Sequence, residues 1–231
     1  MDFDFEPYFA KYRAIAALAD EAFKRIQKDY ADCVTCRVGC ADCCHALFDL
    51  TLVEALYLNQ EFGALSDTAY RQELLDKANR VDRQIHKIKR SAQKAVKAGR
   101  SEEEVLISLG DERVRCPLLN SENQCDLYDH RPIICRVYGV PLNIAGSARI
   151  CSLTNFENGV QYPTVHMDAI QSKLFNLSAE LVRDLNSKYP GLVDMLVPVS
   201  MALLTDYNAD YLGVSSPTDS EDGDTARDKG N

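Results

Sequence analysis

The chain alternates between stretches with an apolar residue every three or four positions and stretches with no such period. Over the first thirty residues Tyr8, Tyr12, Ile15, Ala19, Ala22 and Ile26 keep helical spacing, which predicts one helix there. Thr51-Leu-Val-Glu54 has the form of a capping box and predicts a helix to about Phe62, closed by Gly63. From Thr68 to Lys97 a long amphipathic helix is expected, with Leu74, Ala78, Val81, Ile85, Ile88, Ala92 and Ala95 as its apolar seam. Gly99 stops it, and Ser101 to Glu104 reads as a second capping box. Asp168 to Gln171 predicts the start of a helix to about Ser187, and Pro190 opens a last one to about Leu204. The fold class is therefore mostly α.

On the long helix, Arg80, Arg83, Lys87, Arg90, Lys94 and Lys97 repeat the rhythm of the seam two positions later, on the opposite side. The plain reading is a solvated helix face. The sharper one is an anion-binding surface or a docking surface for an acidic protein partner.

Two segments break the helical pattern. Residues 33–44 hold Gly39 and five cysteines and read as a loop with short turns. In CPLLNSENQCDLYDHRPIICRVYG, Pro117 to Asn120 and Gln124 to Tyr128 read as a small hairpin or knuckle. Pro132 then starts a short helix carrying Ile134, Cys135 and Val137. Asn158-Gly159 marks a tight turn. Residues 1–214 are read as a single domain, with a basic helical insert at about 68–99. Residues 215–231 have five acids, two bases and no large apolar residue, and read as a disordered acidic tail.

Composition is that of a globular protein: 46% hydrophobic and 26% charged. A core can form without metal, unlike in a zinc finger. Net charge is −9, so nucleic acid is not an expected partner. The acidic N-terminus lacks the features of a signal peptide, and Leu192 to Leu204 is too short to span a bilayer. A cytoplasmic location without membrane attachment is expected.

That location makes the nine cysteines unusual. Their odd number also argues against a complete disulfide framework. Thiolates gathered in space repel one another, and a metal centre relieves the repulsion. Cys36-x3-Cys40-x2-Cys43 is short enough to curl round one centre. Neighbouring side chains usually diverge, so either one of Cys43 and Cys44 ligates, or the two serve adjacent metal positions. Cys116 and Cys125 flank the knuckle and can meet at its base, and Cys135 and Cys151 close the set. The metal ligands expected are Cys36, Cys40, Cys43, Cys44, Cys116, Cys125, Cys135 and Cys151. Cys33 lies outside the tighter pattern. Arg37, Arg115, Arg136 and Arg149 lie near these cysteines in sequence and are suited to offset thiolate charge. His45 and His130 are secondary candidates, as ligands or as donors to ligands.

CRVGCADCC, followed by CPLL, CDLYDHRPIICRVYG and Cys151, resembles the YkgJ-like cysteine-cluster family of zinc- or iron-chelating proteins. The resemblance spans about residues 33–151. It rests on the eight cysteines together with Pro117, Leu119, Tyr128, Arg131, Pro132, Arg136, Tyr138 and Gly139. It implies a cysteine-ligated iron–sulfur cluster (4Fe–4S) or zinc. The widely spaced second half lacks the paired knuckles usual for zinc, which favours the cluster, with electron transfer or metal handling as its service. Flagellin lysine N-methylases are similar in the cysteine region, which gives a protein lysine methyltransferase-like enzyme as an alternative. CxxxCxxC is also the radical-SAM signature, but a mostly helical chain does not suit the βα barrel of those enzymes. On balance the chain is read as a binding protein rather than an enzyme.

Overall fold

A computed structural model describes residues 3–214. The acidic tail expected at 215–231 lies outside them. Along the chain come α1 (Glu6–Asp29), β1 (Asp49–Thr51), α2 (Leu52–Gly63), α3 (Thr68–Lys97), α4 (Glu102–Gly110) and α5 (Ile133–Val137). Then follow β2 (Leu142–Ile144), β3 (Ser147–Arg149), β4 (Val165–His166), α6 (Met167–Asp184), β5 (Leu196–Pro198), α7 (Val199–Leu204) and α8 (Ala209–Leu212). The architecture is mostly α. No helix among the described residues is long and apolar enough to cross a membrane.

The apolar core is built round α2, which is buried along most of its length from Leu52 to Leu58 and again at Phe62. Helix α1 lays Tyr8, Phe9, Tyr12, Ala16, Ala19 and Ile26 into this core. It packs against α5, α6 and α2. The capping box of α2 forms as expected, and its Glu54 carboxylate reaches further than a cap. Besides accepting from the Thr51 backbone and hydroxyl, it accepts the Ile133 N–H at 3.3 Å. One buried side chain thus joins the starts of α2 and α5, the helix that carries Cys135.

Helix α3 has the expected bounds. Its seam is buried at Leu74, Ala78 and Ile85 and meets α7 and α4. Lys89 pairs with Asp49 at 2.6 Å, and Ser200 donates to Asp82 at 3.1 Å, fixing the helix to β1 and α7. The six residues of the basic stripe are exposed and have no ion pair among the described residues.

Four expectations need correction. Pro190 starts a short 3₁₀ turn, Pro190–Asp194, rather than a helix to Leu204. Pro198 cannot supply an N–H inside a helix, so the chain runs extended as β5 and pairs antiparallel with β1, Leu50 opposite Val197. Helix α6 begins at Met167, and Asp168 in its first turn accepts the Ala145 N–H at 2.9 Å. Only half of the second capping box forms. Ser101 accepts from Glu104 N, while the Glu104 carboxylate turns to Arg100. The strands β3-β2-β4 were not anticipated. Ala145 and Gly146, at φ 51° and 74°, make the primed turn between β2 and β3, and β4 pairs parallel to β2.

Candidate metal centre

Backbone pairing brings the two cysteine blocks together. Ala46 and Arg113 form an antiparallel bridge, Val114 N donates to His45 O, and Cys116 N donates to Cys44 O at 2.7 Å. This short ladder lays the 3₁₀ turn Cys43–His45 against the start of the second block. A second seam joins the segment just after Cys151 to the head. Asn155 N donates to Cys33 O at 2.9 Å, and the Thr35 hydroxyl donates to Leu153 O at 2.5 Å, which sets Cys151 beside the head loop. The knuckle forms through a Leu119–Cys125 bridge and the bonds Asn120 N to Gln124 O and Asp126 N to Leu118 O. It is too short to count as two strands.

All eight expected ligands line one cavity of about 510 Å³, together with Asp42, Tyr128, Arg131, Arg136 and Tyr138. Cys33 does not line it and packs against the apolar core instead. His45 and His130 do not line it either. The His45 ring meets Ala41 O at 2.9 Å, and the His130 ring meets the Tyr57 hydroxyl at 2.9 Å. Among the described residues no three Cys, His, Asp or Glu side chains are gathered as a single ion would require. The sulfurs face a shared space rather than a point.

Two glycines make this packing possible. Gly39 takes φ +83° in the turn between Cys36 and Cys40. A Cβ on Gly139 would stand 2.0 Å from the Cys36 sulfur. That space is reserved for a thiol.

The arginines near the sulfurs only partly match those expected. Arg37 and Arg136 line the cavity. Arg115 turns away to the carbonyls of Leu119 and Asn120, and Arg149 is exposed on β3. The cation that favours the thiolates of Cys43, Cys125 and Cys135 is Arg131. Its guanidinium stacks 4.1 Å from the Tyr128 ring and lies 3.5 Å from Asp20. Arg136 bonds Asp20 of α1 at 2.6 Å and also donates to the carbonyls of Arg131 and Asp129. Asp42 pairs with Arg113. Neither Asp20 nor Arg113 stood out in the sequence.

Burial sets the protonation of the metal-free site. It pushes the Cys36 and Cys125 thiols up to about 11, Cys116 and Cys151 up to about 12, and Cys135 well above the ordinary value. Cys43 goes the other way, lowered to about 7, because the neighbouring Cys44 thiol donates to it. Cys44 is raised by the same shared proton. A metal must therefore displace protons to bind. Apparent affinity is expected to climb as pH rises from about 7 toward 12, with proton release on loading near neutral pH. Calorimetric titration with Zn²⁺ in buffers of different ionisation enthalpy measures that release. For the metal-free chain the sign reverses. The raised thiols contribute full stability below their unfolded values near pH 9, and this is lost as pH rises through 11 to 12.

The donor set fits a thiophilic group. Eight soft ligands, largely shielded from water and joined by arginines, suit zinc, iron or an iron–sulfur cluster. No curated protein and no solved structure matches the chain. A family model does match, over residues 35–152, which is half of the chain and holds all eight cavity cysteines. Its description is "CxxCxxCC: Putative zinc- or iron-chelating domain". In this chain the first interval of that pattern is three residues, Arg37-Val38-Gly39, and the left-handed Gly39 makes the turn. The cavity chemistry and the matched span together make the chain a member of the CxxCxxCC family of zinc- or iron-chelating domains.

Proposed function

We propose that this protein holds an iron–sulfur cluster in the cysteine-lined cavity and serves electron transfer or metal handling. The observation that supports the cluster over a lone zinc ion is the shape of the site. Zinc–sulfur bonds of about 2.3 Å at tetrahedral angles place ligand sulfurs roughly 3.8 Å apart. Eight sulfurs round a cavity of about 510 Å³, with no three gathered for one ion, leave room for a larger, polynuclear group. The cluster would supply one-electron chemistry. The chain's own residues would provide thiolates and exclude water, while Arg131 would offset the negative charge.

Anaerobic purification tests the reading. The expected product is a brown protein containing iron and acid-labile sulfide in equal amounts. A colourless protein with stoichiometric zinc would overturn it.

A further inference from the structure

The basic face of α3 is segregated from the acids of the chain. Residues 83–100 hold seven Lys and Arg and no acid, in a chain with 35 acids to 26 bases. Cations elsewhere on the helix find partners. Lys77 meets Glu73, and Lys89 bonds both oxygens of Asp49. Arg80, Arg83, Lys87, Arg90, Lys94 and Lys97 stay exposed and, among the described residues, unpaired. Like charges at three- and four-residue spacing repel, so the row weakens the helix that carries it. The helix dipole compensates only in the last turn, at Lys94 and Lys97.

The face is also purely polar. Every exposed position from Arg83 to Lys97 is charged or polar, and residues 71–100 contain no Phe, Tyr or Trp. A membrane surface takes up apolar side chains beside the cations, and a single strand of nucleic acid stacks on aromatic rings. The face offers neither. What it offers is rhythm. From Arg80 to Lys97 the spacings alternate between three and four, which sets a charge about every 5 Å along roughly 26 Å of helix. An acidic helix with Asp or Glu in the same rhythm presents its carboxylates at the same interval, each matched to a guanidinium or ammonium. A shallow hollow lined by His86, Lys89, Arg90 and Gln93 gives a side chain room in the middle of the row.

We propose that this face docks an acidic helix of a partner protein. The seam on the opposite side of α3 packs on α7, whose Val199 lines the metal cavity. No residue of α3 lines that cavity itself. The partner therefore binds behind the centre and does not enter it.

The test uses the full chain and a labelled helical peptide with Glu at alternating three- and four-residue spacing, read by fluorescence anisotropy. A peptide of the same composition with its Glu spread round the helix, a single-stranded oligonucleotide and phosphatidylserine vesicles are the comparisons. The striped peptide should bind most tightly. Its affinity should fall steeply between about 0.01 M and about 0.15 M salt, as the Debye length shrinks from about 30 Å to about 8 Å. Arg83→Gln, Arg90→Gln and Lys94→Gln together should weaken binding about tenfold, the combined effect of three exposed ion pairs. Arg25→Gln, Lys28→Gln and Lys173→Gln together, exposed but outside the row, should change it less than about twofold. All six positions are exposed, so both variants should keep the wild-type circular dichroism. Protein stripped of metal by a chelator should bind as well as loaded protein. Equal binding of the spread peptide, equal loss in the second variant, or no binding of the striped peptide overturns the proposal. So does tighter binding of the oligonucleotide or the vesicles, or self-association that the first variant abolishes. Binding that needs loaded metal overturns the separation of this face from the cavity. The cluster reading stands or falls on the iron and sulfide content alone.

Discussion

Gly139→Ala is expected to lower metal affinity by about 10–100-fold, the range found when groups that position ligands are disturbed. The added Cβ would lie 2.0 Å from the Cys36 sulfur and 3.5 Å from both Cys36 Cβ and a Phe23 ring carbon. The sulfur cannot remain there, and Phe23, at ordinary contact distance, does not yield the missing space. Overpacking of this kind typically destabilises by about 1–3 kcal/mol. The two effects separate experimentally. Competition with a chromophoric chelator reads the affinity, and urea unfolding of the metal-free chain reads the stability. A variant with wild-type affinity would mean that Cys36 is not held for metal. Gly39→Ala is the contrasting case. A Cβ there meets nothing within 4 Å, so its cost comes from the φ of +83° alone.

Asp20→Ala is expected to be strongly destabilising although it lies outside the cavity. Asp20 is the shared anion of Arg136, at 2.6 Å with 9% of its side chain exposed, and Arg131, at 3.5 Å with 18% exposed. Without it two guanidinium groups face each other at the junction of α1 and α5. Removing one partner of a buried pair costs about 3–5 kcal/mol. Asp20 keeps 29% of its side-chain surface in water, so about 2–3 kcal/mol is expected. A double-mutant cycle with Arg136→Met in urea unfolding checks it. A coupling near zero would show that the carbonyls of Arg131 and Asp129 alone hold Arg136. The loss should also reach the metal, because α5 carries Cys135 and Arg131 precedes it.

Elements whose signals are local were legible in the sequence. Helix α3 was legible because its seam is long and Gly99 follows it; the cap at its start, Asp67 accepting from Tyr70 N at 2.9 Å, is seen in the structure. Thr51 and Glu54 gave the start of α2. Helix α5 followed from Pro132. What failed depends on partners far away in the chain. β5 is a strand because β1 lies beside it, and a three-residue strand has no period of its own. β4 has two residues and pairs with β2.

The site divides in the same way. All eight cysteines singled out line the cavity, because cysteine is rare enough for spacing to be informative. Which head cysteine lies beside which later residue is decided by backbone pairing across the two sequence blocks, as in the Cys116 N to Cys44 O bond. Arg131 acts on the sulfurs while Arg115, adjacent to Cys116, turns away. Nearness along the chain is a poor guide to where a long side chain goes. Asp42 was visible only as an acid inside CADCC, and its contacts with Arg113 and Cys151 come from residues far along the chain.

The pairing of Cys44 with Cys116, and of Cys33 with Asn155, also sets a timetable. At about 5–20 residues per second, the ribosome takes roughly 5–20 s to go from Cys44 to Cys151. During that interval the five head thiols precede their partners, and the set is incomplete until Cys151 is made. A cluster needing both blocks cannot be completed on the nascent chain until Cys151 is out. Full loading therefore waits until Cys151 has left the ribosome. Until then the thiols of the newborn head are open to oxidation and to capture of the wrong ion.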